Sequence, residues 1–136
     1  MVRRMEPQRL AEMPLFARLD DVEREKLAAV MREVEMEEGK TLVNEGSSAF
    51  ELFVIEDGEV EVTKAGRHVR TLGPGDFFGE IGLLATGTRT ATVTASTDGR
   101  LAAIFTRELA DVEAHHPDVV DKLRTAMRAR VAHTAF

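Results

Sequence analysis

All ten glycines of this 136-residue chain lie between positions 39 and 99, and they cut that stretch into short pieces. Glycine is the residue that accepts the left-handed backbone of tight turns. Between the glycines lie β-favouring segments at 41–44, 50–55, 59–64, 67–72, 90–95 and 101–105. Short strands at such regular spacing predict a sandwich or barrel. Asp57-Gly58 reads as a hairpin turn, and Val60 and Val62 alternate as in a strand with one buried face.

The flanks read as helix. Residues 1–14 are mostly polar and are expected to form an N-terminal arm that Pro14 ends, with Leu15, Phe16 and Leu19 anchoring the chain to the core. Asp20 and Glu23 have the spacing of a capping box. Leu27, Val30, Met31 and Val34 then recur at helical spacing and predict a helix that runs until just before Gly39. Beyond the glycine-rich middle, Thr106 is placed to cap a helix running toward His115, with Glu108 in its first turn. Pro117 separates this from a second helix opened by Asp118, in which Val119, Leu123, Met127 and Val131 lie four apart on one stripe. Arg124, Arg128 and Arg130 put positive charge toward the end where the helix dipole is negative. The predicted fold is mainly β with flanking helices: an antiparallel β-roll, a jelly-roll-like barrel. Its expected parts are the arm at 1–14, the roll with its flanking helices at 15–117, and the C-terminal helix at 118–136.

Charge and composition narrow the function. Eighteen basic against 24 acidic residues give a net charge of −6, unfavourable for nonspecific nucleic-acid binding, and no nucleic-acid partner is expected. Cysteine is absent, which excludes disulfides, thiolate metal sites and thiol redox chemistry. No apolar run reaches the roughly 18 residues that span a bilayer, and no signal peptide is visible, so a cytoplasmic location without membrane attachment is the expectation.

The chemistry concentrates at 75–93, Gly-Asp-Phe-Phe-Gly-Glu-Ile-Gly-Leu-Leu-Ala-Thr-Gly-Thr-Arg-Thr-Ala-Thr-Val. Backbone N–H groups at the start of a short helix hold an anion, and glycine lets that backbone come close. The planar fork of Arg89 matches a phosphate with two parallel hydrogen bonds. A carboxylate beside an anion is repelled, so Glu80 fits an acceptor for a neutral hydroxyl. Together these groups describe a sugar phosphate with a free hydroxyl.

The segment resembles the phosphate-binding cassette of the cyclic nucleotide-binding domain family, which includes protein kinase A regulatory subunits, the catabolite activator protein and cyclic-nucleotide-gated channels. The resemblance rests on Phe78-Gly79-Glu80-Ile81-Gly82-Leu83, a gap, then Arg89-Thr90-Ala91. The Glu-to-Arg spacing is similar to the kinase-type cassette, and Gly82 to the bacterial activators. Thr88 departs from the pattern where many members carry proline. Gly39, Gly46 and Gly58 also fit the family's turns, so the resemblance extends over about 15–105.

The resemblance implies reversible binding of cyclic AMP, with cyclic GMP as the alternative, and no cofactor. It implies that Arg89 and the N–H groups near Gly82 and Leu83 take the phosphate while Glu80 takes the ribose 2′-hydroxyl. A hydroxyl at Thr90 reaches the phosphate or the base in the family, and threonine there accompanies guanine acceptance; alone it is equally a strand former. Val62, Val69 and Leu72 are candidate base-facing walls by their offsets from Gly58 and Gly79. The C-terminal helices are expected to shift on binding, with the last helix acting as a lid over the base, as a homodimer seam, or simply as core. No output module follows that helix, so a signal would pass to an effector protein, a second copy or a domain outside this sequence.

Two other classes compete. A ligand-free β-roll scaffold or oligomerisation module would leave Arg89 and Glu80 as costly charges in an empty pocket. A cupin-like enzyme needs clustered histidines on neighbouring strands; His68 is the single histidine in the β region, so an enzyme is not expected. Adjacent His115 and His116 diverge by about 100° on a helix and converge poorly on one metal ion.

Overall fold

The structure is a computed structural model that describes residues 3–46, 51–79 and 91–131, with side chains through Ala129 in the last helix. Helices lie at both ends of an antiparallel β-roll. The elements are β1 (Arg3–Arg4), α1 (Pro7–Ala11), a 3-10 turn (Pro14–Phe16), α2 (Asp21–Ala28), β2 (Arg32–Met36), β3 (Thr41–Val43), β4 (Glu51–Asp57), β5 (Val60–Lys64), β6 (Arg67–Leu72), β7 (Phe77–Phe78), β8 (Thr92–Ala95), β9 (Gly99–Phe105), α3 (Thr106–His115) and α4 (Pro117–Val131). Five strands form one sheet in the order β1-β2-β9-β4-β7, and four form another in the order β3-β8-β5-β6.

The five-stranded sheet is the middle layer. Leu52 and Val54 of β4, with Ala102 and Ile104 of β9, join the cluster that contains Leu10, Phe16, Leu27, Leu109 and Leu123 from the helices. Phe53, Ile55, Leu101 and Ala103 alternate with them and join Val60, Val62, Leu72, Val93 and Ala95 of the second sheet. Both faces of β4 and β9 are thus covered, which is why they read as continuous apolar runs.

Several sequence expectations are corrected. The helix opened by Asp20 forms with its capping box, Asp20 accepting from the Glu23 N–H and Glu23 accepting in return. It stops at Ala28, however, and Arg32–Met36 is a strand paired along its length with β9. Val34 belongs to both a helical and a two-residue repeat; Met36, only 2% exposed, continues the second. Asp57-Gly58 is no hairpin turn, because β4 and β5 lie in different sheets. Gly58 turns a corner between the sheets at φ +96°, where a Cβ would stand 2.5 Å from Met36 Cε and 2.7 Å from the Asp98 carbonyl oxygen. The tight hairpin is β5–β6, turning through Ala65 and Gly66, both at positive φ.

The N-terminal arm is docked on the core: Met5, Leu10 and Met13 lie in the helical core beside the expected anchors Leu15, Phe16 and Leu19. Arg9 on α1 donates to Glu56 of β4 and, at 2.9 Å, to Glu33 of β2. Bonding to Glu56 first and Glu33 second raises its already high pKa. Thr106 is not a cap. Helix α3 starts directly from β9, and Glu108 accepts the Phe105 N–H at 3.3 Å.

In α4, Val119, Leu123 and Met127 are at most 2% exposed and pack in the chain's own helical core. These three are therefore intramolecular core in this chain, while the side chain of Val131, the last of the stripe, lies outside the described residues; the outward face carries Asp121, Lys122, Thr125 and Arg128.

Two ion pairs fasten α4 from outside. Arg124 bonds Glu113 of α3, and Lys122 Nζ donates to Glu23 at 2.8 and 3.0 Å. The Lys122 bond, then the Asp20 N–H, holds the Glu23 carboxyl below its ordinary value near 4.5. Because the folded pKa is lowered, this stabilisation is present above pH about 4.5 and is lost as pH falls through the depressed value. The melting temperatures of the parent and Lys122→Met should differ by a constant amount from about pH 6 to 8 and converge in strong acid. Melts in which the gap persists undiminished to about pH 2 would contradict the pairing.

Candidate functional site

The approach to the glycine-rich segment is built by a closed turn. After β6, the Gly73 N–H donates to the Asp76 carboxylate and the Asp76 N–H to the Gly73 carbonyl, both at 3.0 Å. Ile55 of β4 continues its ladder into this turn, donating to the Asp76 carbonyl at 2.8 Å and accepting from Gly75 at 2.9 Å. A Cβ on Gly75 would lie 3.5 Å from the Pro14 ring, so the turn abuts the 3-10 helix of the helical layer. Phe77 and Phe78 then pair with Val54 and Phe53. The rings of Phe53 and Phe78 stack at 5.1 Å with an interplanar angle of 19°. Both phenylalanines are buried, which fixes where the chain reaches Gly79.

Gly79 has φ +82°, a conformation that other L-residues rarely adopt. The expected site residues Glu80, Ile81, Gly82, Leu83, Arg89 and Thr90 lie outside the described residues. Description resumes at Ala91, 7% exposed, and β8 follows between β3 and β5. The chain therefore leaves the five-stranded sheet at Gly79 and re-enters the four-stranded one after Ala91. The side of Ala91 is braced by Thr92, whose hydroxyl accepts the Glu45 N–H at 2.9 Å.

The candidate walls divide. Val62 and Leu72 are 0% and 2% exposed and share one inner cluster with Phe78 and Ala91. Val69 does not join them: it is 40% exposed. Pairing steps from Val62–Arg70 to Thr63–His68, so Val69 is the extra residue of a bulge. Arg70, directly opposite buried Val62, shares the inner side with Leu72. Counting by twos back from Leu72 finds Arg70; the offsets from Gly58 and Gly79 pointed to Val69 because they do not register the bulge.

Among the described residues, no group of three or more His, Asp or Glu side chains is arranged to hold a metal ion. His115 is engaged with the Asp111 carbonyl at 3.0 Å. No described helix is long and apolar enough to cross a membrane.

Comparison with known proteins agrees with this geometry. The profile of the cyclic nucleotide-binding domain matches residues 33–116, and the chain belongs to that family. It is 35% identical over 127 residues to a cAMP-dependent protein kinase regulatory subunit of Schizosaccharomyces pombe, covering 90% of this chain and 29% of that protein. It is 33% identical over 132 residues to the cGMP-dependent protein kinase egl-4 of Caenorhabditis briggsae, covering 89% of this chain and 18% of that one. The chain thus spans less than a third of either relative. Among solved structures, it is similar to the N-terminal domain of a transcriptional regulator from Streptomyces coelicolor, with 35% identity and a TM-score of 0.76, over 93% of this chain and 94% of that one.

Replacing Gly79 places a side chain in the left-handed region, at a cost of about 1–2 kcal/mol. Urea unfolding of Gly79→Ala should show that loss; a change below about 0.3 kcal/mol would mean the turn does not need glycine.

Proposed function

We propose that this chain is a cyclic nucleotide sensor, binding cyclic AMP or cyclic GMP without catalysing a reaction on it, in the cytoplasm. The carrying observation is family membership together with a built frame: the Phe53–Phe78 stack and Gly79 hold one end of the cassette, and buried Ala91 holds the other. Arg89 is assigned to the exocyclic phosphate oxygens, the backbone around Ile81, Gly82 and Leu83 to completing that cradle, and Glu80 to the ribose 2′-hydroxyl. The Thr90 hydroxyl is assigned to the phosphate or the base. Val62 and Leu72 form the apolar wall for the base. The names of the kinase relatives support both nucleotides as candidates.

The response is a population shift between two arrangements of the helices. The turn at Gly75 lies next to Pro14, and the 3-10 helix shares one core with α1, α2, α3 and α4. The helices therefore move as a layer, because α4 alone would expose Leu123 and Met127. The recipient is an effector protein, a second copy or an attached output domain.

Titration calorimetry tests the site. Arg89→Ala removes one member of a desolvated charge pair, which costs about 2–5 kcal/mol, or roughly 30- to several thousand-fold in affinity. An alanine variant that binds within about threefold of the parent would sink the phosphate assignment. Hydrogen exchange tests the response: ligand should change protection in α4 and around Pro14 as well as at 79–91. Changes confined to 79–91 would leave a pocket that transmits nothing.

A further inference from the structure

Three arginines gather where β9 hands over to α3. The Arg32 guanidinium lies 4.2 Å from the centre of the Phe105 ring, and that of Arg107 lies 5.3 Å from it. Arg32 pairs with Ala103, and Phe105 is two residues further along β9, hence on the same face of the sheet. Arg4 of β1 stands directly opposite Arg32 in the register and shares that face. Arg32 is neutralised by Glu51 of β4. Arg4 and Arg107 are exposed, and neither meets a carboxylate among the described residues. Phe105 itself is half-buried and belongs to neither apolar cluster. Beside its ring, Glu51, Phe105, Thr106 and Arg107 line a cavity of about 250 Å³.

We propose that this junction is a docking surface for an acidic segment of a partner protein. One large apolar side chain of the segment sits in the cavity against Phe105, and carboxylates beside it meet Arg107 and Arg4. The size of the cavity argues for a protein side chain, because pockets for free small molecules run to roughly 300–1,000 Å³. Charge selects the segment. The protein carries a net charge of −6, so its surface as a whole repels an acidic chain, and guanidiniums without carboxylate partners attract one. Arginine and aromatic side chains are also the groups enriched at protein–protein contacts. The β5–β6 hairpin carries Lys64 and Arg67 but no aromatic ring to anchor a partner. No residue of the proposed surface belongs to the segment 79–91, so it stands independently of the nucleotide reading. A partner seated here holds α3 at the point where it leaves the sheet.

The test is an NMR titration of the isotope-labelled whole chain, without nucleotide, using the end-blocked peptide Glu-Glu-Leu-Glu-Glu. Gln-Gln-Leu-Gln-Gln removes its charge, and Glu-Glu-Ser-Glu-Glu removes its apolar side chain. Saturable shifts should centre on Phe105, Thr106 and Arg107, including the Arg107 Nε–H. Both comparison peptides should bind at least about fivefold more weakly. Arg107→Met should weaken the acidic peptide roughly fivefold, whereas Arg67→Met, the same charge change on the β5–β6 hairpin, should weaken it less than about twofold. The proposal is overturned by equal binding of the acidic and glutamine peptides, by shifts spread evenly over the chain's cations, or by equal losses in the two variants. A chain that binds cyclic nucleotide but gives no saturable shift with millimolar acidic peptide overturns this proposal alone.

Discussion

The pairing of β4 with β9 is the interaction on which the remaining architecture rests. Every residue from Leu52 to Ile55 and from Leu101 to Ile104 is at most 6% exposed, and successive side chains serve opposite layers. Leu52, Phe53, Val54 and Ile55 each contribute about 1.5–3 kcal/mol by leaving water. A one-residue slip would exchange the two sets, presenting Phe53 to the helices and Val54 to the second sheet. The register of this pair therefore fixes both cores together. It also places Phe53, whose stack with Phe78 brings the chain to Gly79.

Polar contacts secure the same arrangement at its margins. Arg9 joins α1 to β2 and β4 through Glu33 and Glu56, two strands that flank β9. Glu23 closes its own capping box and receives Lys122 from α4, so one carboxylate links the start of α2 to the far end of the sequence. The Lys122–Glu23 pair is exposed and contributes little energy by itself, whereas the Arg9 pairs are partly buried. Their effect is to orient helices that the apolar contacts already hold.

Much of this was legible in the residues. The glycine spacing located β3, β4, β5, β6, β8 and β9, and the motif from Phe78 to Ala91 pointed to the family. The failures share one cause, which is that partner strands decide what local pattern leaves open. Leu27, Val30, Met31 and Val34 are compatible with helix, but five register pairs with β9 make residues 32–36 a strand. Asp57-Gly58 has the composition of a hairpin turn, yet the flanking strands pair elsewhere. Ala65-Gly66 lacks the usual Asn or Asp and makes the hairpin nonetheless. The bulge at Val69 is invisible without knowing that Val62 faces Arg70. For the site itself, Glu80 and Arg89 are candidates from the sequence, and the structure describes the frame on either side of them.

The junction between β9 and α3 has a mechanical meaning. The strand ends at Phe105 and the helix begins at Thr106, with no intervening linker residue to absorb slack. Helix α3 is ten residues long, about 15 Å from end to end. Its first residue is thus fixed directly to a strand in which Leu101 to Ile104 are at most 1% exposed. A rotation of about 10° at that junction would carry the His115 end through roughly 3 Å over such a length. The joint to α4 begins at Pro117, so any such rotation would reach the start of the final helix enlarged.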